Sequence, residues 1–399
     1  MSEHILVFPS WYPAHAADVK GVFFRDQALA LAKYGYKVGV VAANMRSLRK
    51  LGRDDKGSVG PAYEVDEGIP TYRRQVWAAL PRIPYGNYWL WRRAARALLT
   101  QYIREQGWPD VIHAHSAIYA GAVAAEWGRE NGIPVVLTEH STGFARKVYR
   151  SSQLALAEKA AVGADACIAV SPALGEVLDE ELPRSRGRWG WVPNVVASRF
   201  GGDKASGERG EKPVRFLNLA IMTEKKGQMD LLEAFARAFG NIPETTELWM
   251  GGDGSLRGAL EVRARELGIE QRVWFLGRVP PGDVPGLLAQ VDAMVVASHY
   301  ETFGVVAAEA LMAGVPVVAT RCGGPECIVE EGDGRLVPPW EPEALAQAMA
   351  EVAESATKVD RQAIAERAKA RFSGEAVARQ LTAVYEDILA RYSQNGARA

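Results

Sequence analysis

The sequence of 399 residues has few cysteines, no long apolar run and no excess of either charge. The sequence has three cysteines, Cys167, Cys322 and Cys327. Because this number is small and odd, it does not support a disulfide framework, which indicates a reducing compartment. No apolar run reaches the roughly 18 residues of a membrane-spanning helix. The start MSEHILVFPSWYP lacks the pattern of a signal peptide, so we expect a cytoplasmic location.

The charge balance and composition exclude several classes of protein. A net charge of −1 argues against general nucleic-acid binding. The content of 48% apolar and 24% charged residues argues against disorder and coiled coils. Residues 1–199 carry 25 Lys/Arg and 19 Asp/Glu, whereas residues 200–399 carry 22 and 29. This asymmetry fits either two domains with different partners or two ordinary surfaces.

Short apolar runs alternate with longer amphipathic stretches along the chain, which predicts βα units and parallel sheets. The Gly-, Ser- and charge-rich segment 197–213 predicts a linker. We therefore predict an α/β protein with two Rossmann-like, doubly wound domains, residues 1–196 and 197–375, facing a central cleft. Residues 376–399 hold an amphipathic helix that we expect to pack back on the amino-terminal domain.

The predicted strands share short length and high apolar content. They are placed at 4–8, 37–42, 110–115, 134–138, 166–170 and 189–192 in the first half, and at 214–220, 247–250, 273–276, 292–298 and 315–320 in the second half.

The most informative stretch is 292–320, where a strand ending at Ser298 leads through a short loop into a helix that begins near Gly304. The free amides and the dipole at such a helix start favour an anion, and a glycine there permits close approach of a ligand. Glu301 and Glu309 flank this start. They fit two hydroxyl-bearing parts of a nucleotide-sugar with phosphate between them, or else a capping residue and a solvated one.

This stretch resembles the E-x7-E motif of retaining glycosyltransferases of the GT-B fold, in particular glycosyltransferase family 4. The matching residues are Glu301, Phe303, Gly304, Glu309, Ala310, Gly314, Pro316 and Val317. Further family segments follow in order: HAH at 113–115, TEHSTGF at 138–144, VPN at 192–194, KKG at 225–227, GGDGSLR at 251–257, FLG at 275–277, GGPECI at 323–328 and DGRLVPP at 333–339. The resemblance covers nearly the whole chain and is most specific in its second half.

The resemblance implies a role for each residue of the donor site. Glu301 would bind the hydroxyls of the donor sugar and Glu309 those of the ribose. Lys226 would neutralise the departing diphosphate. The amides of Phe303 and Gly304 would hold sugar and phosphate. The remaining donor-binding residues that it implies are Gly21, Lys225, Gly252, Gly277, Arg278, Val279, Thr302 and Val305.

Three of these positions have a plainer alternative. The KKG segment at Lys226 is also typical of a solvated turn, and the family's usual Arg five residues earlier is replaced here by Ile221. Gly252 opens a partial G-x-G-x-x-G pattern without its third glycine, which favours a tight turn near the donor over dinucleotide binding. Gly21 either offers its amide to the diphosphate or is an ordinary glycine before a helix.

Histidines follow two predicted strands of the first half. His113 and His115 share one face of a strand, but no third ligand accompanies them, which argues against a metal. The sequence also has no D-x-D motif. By resemblance, His140 lies beside the reacting sugar and is catalytic together with Glu301 and Lys226; the alternative is a loop cap.

Residues 71–108 combine seven arginines with eight Tyr and Trp residues against one glutamate. This mixture favours an anionic membrane surface or a lipid-diphosphate acceptor, or else an arginine-rich helix with its aromatic residues in the core; single-stranded nucleic acid fits less well. The residues assigned to acceptor or membrane contact are Trp89, Arg92, Arg93, Arg96 and His115.

The predicted function is a metal-independent, retaining hexosyl transfer from a UDP- or GDP-sugar to a hydroxyl of a glycan or polyprenyl-diphosphate-linked acceptor in envelope polysaccharide synthesis. No cofactor and no nucleic-acid partner are expected, and the protein would work at the inner face of the membrane. The alternatives are a GT-B nucleotide-sugar epimerase and a non-catalytic sugar-nucleotide or membrane-binding module. The base, the sugar, the acceptor and the oligomeric state stay open.

Overall fold

The computed structural model describes residues 2–13, 21–48, 61–80, 83, 85–200, 213–240, 246–356 and 358–394. The chain forms two compact units, residues 1–195 with 374–399 and residues 196–373. Most of the predicted linker (201–212), Arg82 of the arginine-rich stretch and the last five residues (395–399) of the carboxy-terminal segment lie outside the described residues.

The secondary structure is built from the following elements. The strands are β1 (His4–Pro9), β2 (Lys37–Arg46), β3 (Pro61–Asp66), β4 (Ile69–Trp77), β5 (Val111–His115), β6 (Val135–Glu139), β7 (Ala166–Ala169), β8 (Trp189–Trp191), β9 (Val214–Leu219), β10 (Thr246–Gly251), β11 (Val273–Gly277), β12 (Ala293–Val296), β13 (Val317–Thr320) and β14 (Gly334–Val337). The helices are α1 (Val22–Tyr34), α2 (Gly86–Gln106), α3 (Ala122–Asn131), α4 (Ser151–Gly163), α5 (Pro172–Glu181), α6 (Gln228–Phe239), α7 (Arg257–Glu266), α8 (Val284–Leu288), α9 (Val305–Met312), α10 (Pro342–Ser355), α11 (Arg361–Phe372) and α12 (Gly374–Gln394).

In the first unit, the described strands form one sheet in the order β3-β4-β2-β1-β5-β6-β7-β8. Only β3, which pairs with β4, runs antiparallel to its neighbour. The strand order reverses between β1 and β5, so their carboxyl ends form the crevice where ligands of such sheets bind. Residues 10–13, which follow β1, and the start of α1 at Gly21 lie at this end of the sheet.

Helix α12 belongs to the first unit although it ends the chain. Its buried residues Leu381, Tyr385 and Ile388 pack in the same core as Phe24 of α1. The Tyr36 hydroxyl donates a hydrogen bond of 2.9 Å to Oγ1 of Thr382. The apolar face of the helix, spaced at three and four residues, is therefore covered by α1 and the residues next to it.

In the second unit, the described strands form a sheet in the order β11-β10-β9-β12-β13-β14, and every pair is parallel. Strands β12 and β13 are buried along their whole length, because helices cover both faces of the sheet. The order reverses between β9 and β12, which brings the loops after these two strands side by side. The predicted α/β class with two Rossmann-like sheets is confirmed.

Candidate active site

A partly buried ion pair lies at the reversal of strand order in the second unit. The Lys226 ammonium, in the loop after β9, donates to Oε1 of Glu301, in the loop after β12. Oγ of Ser298 donates to the same oxygen at 2.8 Å. Glu301 is only 8% exposed, so the nearby cation compensates a charge that burial alone would make unfavourable.

Backbone hydrogen bonds hold the two loops in place. The His299 amide donates to the Lys225 carbonyl at 2.8 Å, which ties the loop after β12 to the loop after β9. The Glu301 amide donates to the Cys322 carbonyl at 3.1 Å, and the Gly324 amide donates to the Glu301 carbonyl at 2.9 Å. The backbone of Glu301 is therefore fixed by a third loop, the one after β13.

Gly227 follows Lys226 directly and has a backbone φ of +61°. A Cβ atom here would lie 1.8 Å from the carbonyl oxygen of Ala297, on the neighbouring loop. Only glycine fits this close approach. The glycine of the KKG segment thus lets the loop that carries Lys226 reach the loop that carries Glu301.

We expect Gly227→Ala to lower the free energy of unfolding by at least about 1–3 kcal/mol, because both the left-handed backbone and the contact with Ala297 oppose a side chain. Thermal unfolding monitored by circular dichroism measures this loss. Gly258→Ala is the matched control, since Gly258 lies in α7 and an added Cβ meets nothing within 4 Å. Equal melting temperatures for the two variants would contradict the packing argument.

The start of α9 is an amide-rich surface beside Glu301. Gly304 precedes the helix with φ +94° and no side chain caps it. Phe303 is buried edge-on against Phe372, which anchors the chain just before the helix. The Ala307 amide donates to the Gly304 carbonyl at 2.9 Å. The amides of Val305 and Val306, the first two residues of the helix, have no acceptor within it and lie at the positive end of its dipole. An anion is therefore favoured here.

Three other residues predicted in the donor site lie around this helix start. Thr302 and Val305 are half-buried on either side of Gly304, and Glu309 is half-buried one turn further along α9. A Cβ on Gly324 would lie 2.2 Å from the carbonyl oxygen of Phe303, so the loop after β13 packs directly against the chain at this point.

The glycine-rich segment after β10 lies beside the loop after β9. The Gly252 amide donates to the Gly277 carbonyl at 2.7 Å, and the Met222 amide donates to the Asp253 carbonyl at 3.0 Å. The loops after β9, β10 and β11 are thus bonded together at one edge of the sheet. Ile221 is 67% exposed on this edge, where the family resemblance expects a cation.

The predicted base-contact residues continue from this edge. Gly277 ends β11 with φ +72°, Arg278 is exposed and Val279 is half-buried. Sequence reasoning did not identify Ser298, which bonds directly to Glu301. Its position as the last residue of the strand predicted at 292–298 was the available signal, since ligands of such sheets bind at the carboxyl ends of the strands.

In the first unit, three histidines form a buried group at the ends of β5 and β6. Nδ1 of His115 and Nε2 of His140 are 3.0 Å apart, and the rings of His113 and His115 stack with centroids 4.3 Å apart. Tyr385 of α12 and Thr138 bond to the two ring nitrogens of His113 at 2.6 and 2.7 Å. The H-x-H pair and His140 are therefore brought together, with α12 completing the group.

All three imidazoles are held neutral. Burial lowers the pKa of His113 to about 3. Burial, and after it the proximity of His113, lowers the pKa of His140 to about 3. Burial and the two neighbouring histidines hold the pKa of His115 well below its usual range. None of the three imidazoles is in the charged imidazolium form at neutral pH.

Glu139 is a backbone cap in this structure. Its carboxylate accepts hydrogen bonds from the amides of Ala117 at 2.7 Å and of His140 and Ser141 at 2.8 Å each. Burial raises the pKa of Glu139, and these three amides oppose that shift. The carboxylate thus fixes the backbone on which His140 is carried.

Gly21 lies at the start of α1 with a backbone φ of +79°. A Cβ atom at this position would lie 3.1 Å from the ring of Phe24 and 3.1 Å from the ring of Trp11, which is too close. Its carbonyl accepts the amide of Phe24 at 3.0 Å. The glycine is thus required by the local backbone, whether or not its amide also meets a ligand.

The arginine- and aromatic-rich stretch forms β4 and α2. Trp91 and Tyr102 of α2 are buried in the core. The guanidinium of Arg92 pairs with Glu126 through bonds of 2.7 and 2.8 Å, and Arg96 pairs similarly with Glu130, both on α3. Trp89, 54% exposed, and Arg93 lie on the outer face of α2.

Among the described residues, no group of three His, Cys, Asp or Glu side chains is arranged to hold a metal ion. Within the same residues, no helix combines the length and apolar content that crossing a bilayer requires.

Comparison with family models identifies both halves of the chain. Residues 21–199 match the model described as Glycosyltransferase Family 4, and residues 202–371 match the model described as Glycosyl transferases group 1. The second match contains Lys226, Glu301 and Glu309, and the first contains His140.

Known proteins resemble the chain over most of its length. A protein named for a role in teichuronic acid biosynthesis, the glycosyltransferase TuaC of Bacillus subtilis, is 29% identical over 360 residues, 86% of this chain and 88% of its own. Sucrose-phosphate synthase from Thermosynechococcus elongatus is 22% identical with a TM-score of 0.77, over 98% of this chain and 100% of its own. Anabaena HepE in complex with UDP is 21% identical with a TM-score of 0.71, over 97% and 100%, and a second HepE structure contains UDP-glucose.

Proposed function

Because this chain belongs to the GT-B glycosyltransferases, with a family 4 and a group 1 domain, we propose that it transfers a hexosyl unit from a nucleoside-diphosphate sugar to a hydroxyl group, with retention of the anomeric configuration. The observation that carries this proposal is the pair of Lys226 with the buried Glu301 beside the amide-rich start of α9. A cation and free amides suit a diphosphate, and a carboxylate next to them suits sugar hydroxyls.

The donor is expected to lie along the carboxyl edge of the second sheet. Lys226 and the first amides of α9 bind the diphosphate, Glu301 the sugar and Glu309 the ribose, while the backbone of Gly277 to Val279 contacts the base. The complex of HepE with UDP-glucose supports a donor of this class, since HepE shares the fold. Ile221 adds no charge, so Lys226 carries more of the phosphate binding.

Retention follows from same-face attack rather than from a covalent intermediate. A double displacement needs a carboxylate free to attack the anomeric carbon. Glu301 is instead bonded to Lys226 and Ser298, and Glu139 caps three backbone amides. The departing phosphate then takes the proton of the acceptor hydroxyl. Catalysis rests on positioning and on charge stabilisation by Lys226, and no metal is required in this scheme.

We propose a glycan or polyprenyl-diphosphate-linked acceptor in the synthesis of an envelope polysaccharide. The similarity to TuaC, which is named for teichuronic acid biosynthesis, supports this class of acceptor. By resemblance, His140 orients the reacting sugar, and His115 is its buried partner.

The test is incubation with UDP- and GDP-hexoses and a lipid-linked acceptor, with and without EDTA. We expect release of the nucleoside diphosphate together with a new glycoside whose anomeric configuration, measured by NMR coupling constants, matches that of the donor. A new sugar stereoisomer without a glycoside would identify an epimerase. Tight binding without either product would identify a binding module. An inverted product would refute retention.

We expect Glu309→Ala to raise the KM for the nucleotide-sugar by about 10- to 100-fold with a smaller change in kcat, because a charged hydrogen bond to the ribose is worth about 1.5–3 kcal/mol in ground and transition state alike. Initial-rate kinetics measure both constants. Glu354→Ala, at an exposed position of α10, is the control and should leave KM unchanged. An unaltered KM for Glu309→Ala would remove this residue from the site.

The outer face of α2 is proposed to touch an anionic membrane surface. Trp89 and Arg93 are exposed there, whereas Arg92 and Arg96 are paired with glutamates of α3. An exposed tryptophan beside an arginine suits the interface of an anionic bilayer.

Flotation with phosphatidylglycerol-containing liposomes should carry the protein upward at low salt, and less so at high salt. The double variant Trp89→Ala/Arg93→Glu should float several-fold less. The same two kinds of change at exposed positions of the second unit, Trp274→Ala/Arg265→Glu, should not reduce flotation. Absence of salt-sensitive flotation of the wild-type chain would refute the membrane proposal.

A further inference from the structure

His299 bonds to the chain on both sides of the turn at Lys226 and Gly227. Its amide donates to the Lys225 carbonyl at 2.8 Å, directly before the turn. Its ring nitrogen Nε2 lies 2.8 Å from Oδ2 of Asp230, in the first turn of α6 and so directly after the turn. One residue of the loop after β12 therefore holds both ends of the segment that carries the Lys226 ammonium.

The bond to Asp230 fixes the ring of His299. An ionised carboxylate only accepts hydrogen bonds, so Nε2 carries a proton and donates it. The two side chains are only 21% and 25% exposed, so salt weakens this bond less than it would on an open surface. A Cβ on Gly227 would lie 3.3 Å from Nε2, which places the ring directly against the turn.

Trp340 covers the ring of His299 from the loop after β14. The two rings are stacked, with centroids 4.6 Å apart and planes inclined by 25°. Trp340 has a backbone φ of +59°, which is unfavourable for a large side chain. It is also 63% exposed, so burial offsets little of this strain. Such residues persist where the surrounding structure or the function requires them, and the stack on His299 gives a reason for a tryptophan here.

We propose that His299 is a positioning residue for Lys226, which it holds through the contacts just described. The inference rests on the proposed function for the role of Lys226. In the structure the ammonium is bonded to Glu301. In the reaction it binds the diphosphate while Glu301 binds the sugar, so the ion pair alone cannot fix it. The bonds of His299 do not use the Glu301 carboxylate and hold the turn during this exchange.

Two replacements of His299 test the hydrogen bond to Asp230. Phe keeps a ring against Trp340 but has no donor, whereas Gln can place an amide N–H near the position of Nε2–H. We expect His299→Phe to lower kcat by about 10- to 100-fold with a smaller change in KM, because a misplaced cation is felt most when charge develops on the leaving phosphate. His299→Gln should recover to within about threefold of wild type. Equal losses in both variants would contradict the positioning role.

Combination with Lys226→Met shows whether His299 acts through Lys226. In the Lys226→Met chain no ammonium is left to be positioned, so adding His299→Phe should change kcat by less than about twofold. A general effect on the fold would not depend on Lys226 and would lower kcat by the same factor in both chains. That outcome, measured as initial rates at high enzyme concentration, would overturn the proposal.

Trp340→Gly separates positioning from stability. Glycine adopts a φ of +59° without strain, so the melting temperature should change little. Loss of the stack on His299 should still lower kcat, by about three- to tenfold. A normal kcat in this variant would show that Trp340 does not help to hold His299.

Hydrogen exchange measured by mass spectrometry tests the proposal without any turnover. Residues 223–231 should exchange faster in His299→Phe than in the wild type or in His299→Gln. Arg263→Met is the matched control, since it removes a bond of 3.1 Å from α7 to Glu233 of α6 and leaves the turn untouched. Faster exchange in a chain that turns over no nucleotide-sugar would refute the proposed function alone. Unchanged exchange and unchanged kcat in His299→Phe, in a chain that is otherwise active, would refute this inference alone.

Discussion

Glu301→Ala is expected to reduce kcat by about 10³-fold, to the limit of detection in most transferase assays. The variant removes the hydroxyl-binding carboxylate and also the acceptor that holds the ammonium of Lys226 and the hydroxyl of Ser298. Because Lys226 is then unrestrained, the cation no longer lies where the leaving phosphate develops charge. Initial rates of nucleotide release, with the lipid-linked acceptor saturating, measure the loss.

Two companion variants separate charge from shape. Glu301→Gln keeps the size of the side chain and loses only the charge, so its kcat should lie between those of the wild type and the Ala variant. Glu331→Gln neutralises an exposed carboxylate of the same unit and should leave both constants unchanged. Wild-type turnover in Glu301→Ala would show that the E-x7-E match does not mark the donor site in this chain.

Most strands were predictable because in a parallel sheet they are short, apolar and separated by helices. The predictions at 4–8 and 166–170 agree with β1 and β7 to within one residue. Loops that end in glycine were equally clear, since a single residue type meets the steric demand at Gly227 and Gly304. The positions of most strands could therefore be predicted from hydrophobic periodicity. The turns that carry the candidate site could be predicted from the glycines.

Elements with mixed composition were predicted less well. Strands β3 and β4 were not predicted. For the arginine- and aromatic-rich stretch that contains most of β4 and all of α2, the sequence left two alternatives, a membrane or acceptor surface and a helix with its aromatic residues in the core. The structure buries Trp91, whose indole contacts the carbonyl of Ala43, and pairs Arg92 with Glu126. Partners this distant in sequence cannot be identified from spacing, because a side chain is buried according to what covers it.

The histidine group of the first unit shows the same limit, because its partners distant in sequence could not be predicted either. The sequence placed His113 and His115 on one face of a strand, but nothing in it indicated that Tyr385, 272 positions later, bonds to His113. Nor did it indicate that Glu139 is occupied by backbone amides. The residues were identifiable from resemblance; their protonation and partners depend on tertiary packing.

Lys226→Met is expected to lower kcat by about 10²–10³-fold, because it removes the cation that compensates charge on the departing diphosphate. The same change leaves Glu301 buried without its counter-charge, which should lower the free energy of unfolding by about 3–5 kcal/mol. Thermal unfolding and initial rates measured on one preparation report both effects. Lys369→Met, on the exposed end of α11, is the control and should change neither.

The double variant Lys226→Met/Glu301→Gln decides whether the ion pair is catalytic or only structural. Without either charge, the buried penalty is relieved, so stability should return most of the way to the wild-type value. Turnover should stay as low as in Lys226→Met, because the leaving group still lacks its cation. If turnover returned together with stability, the pair would serve only to hold two loops together, and the diphosphate would have to be bound elsewhere in the second unit.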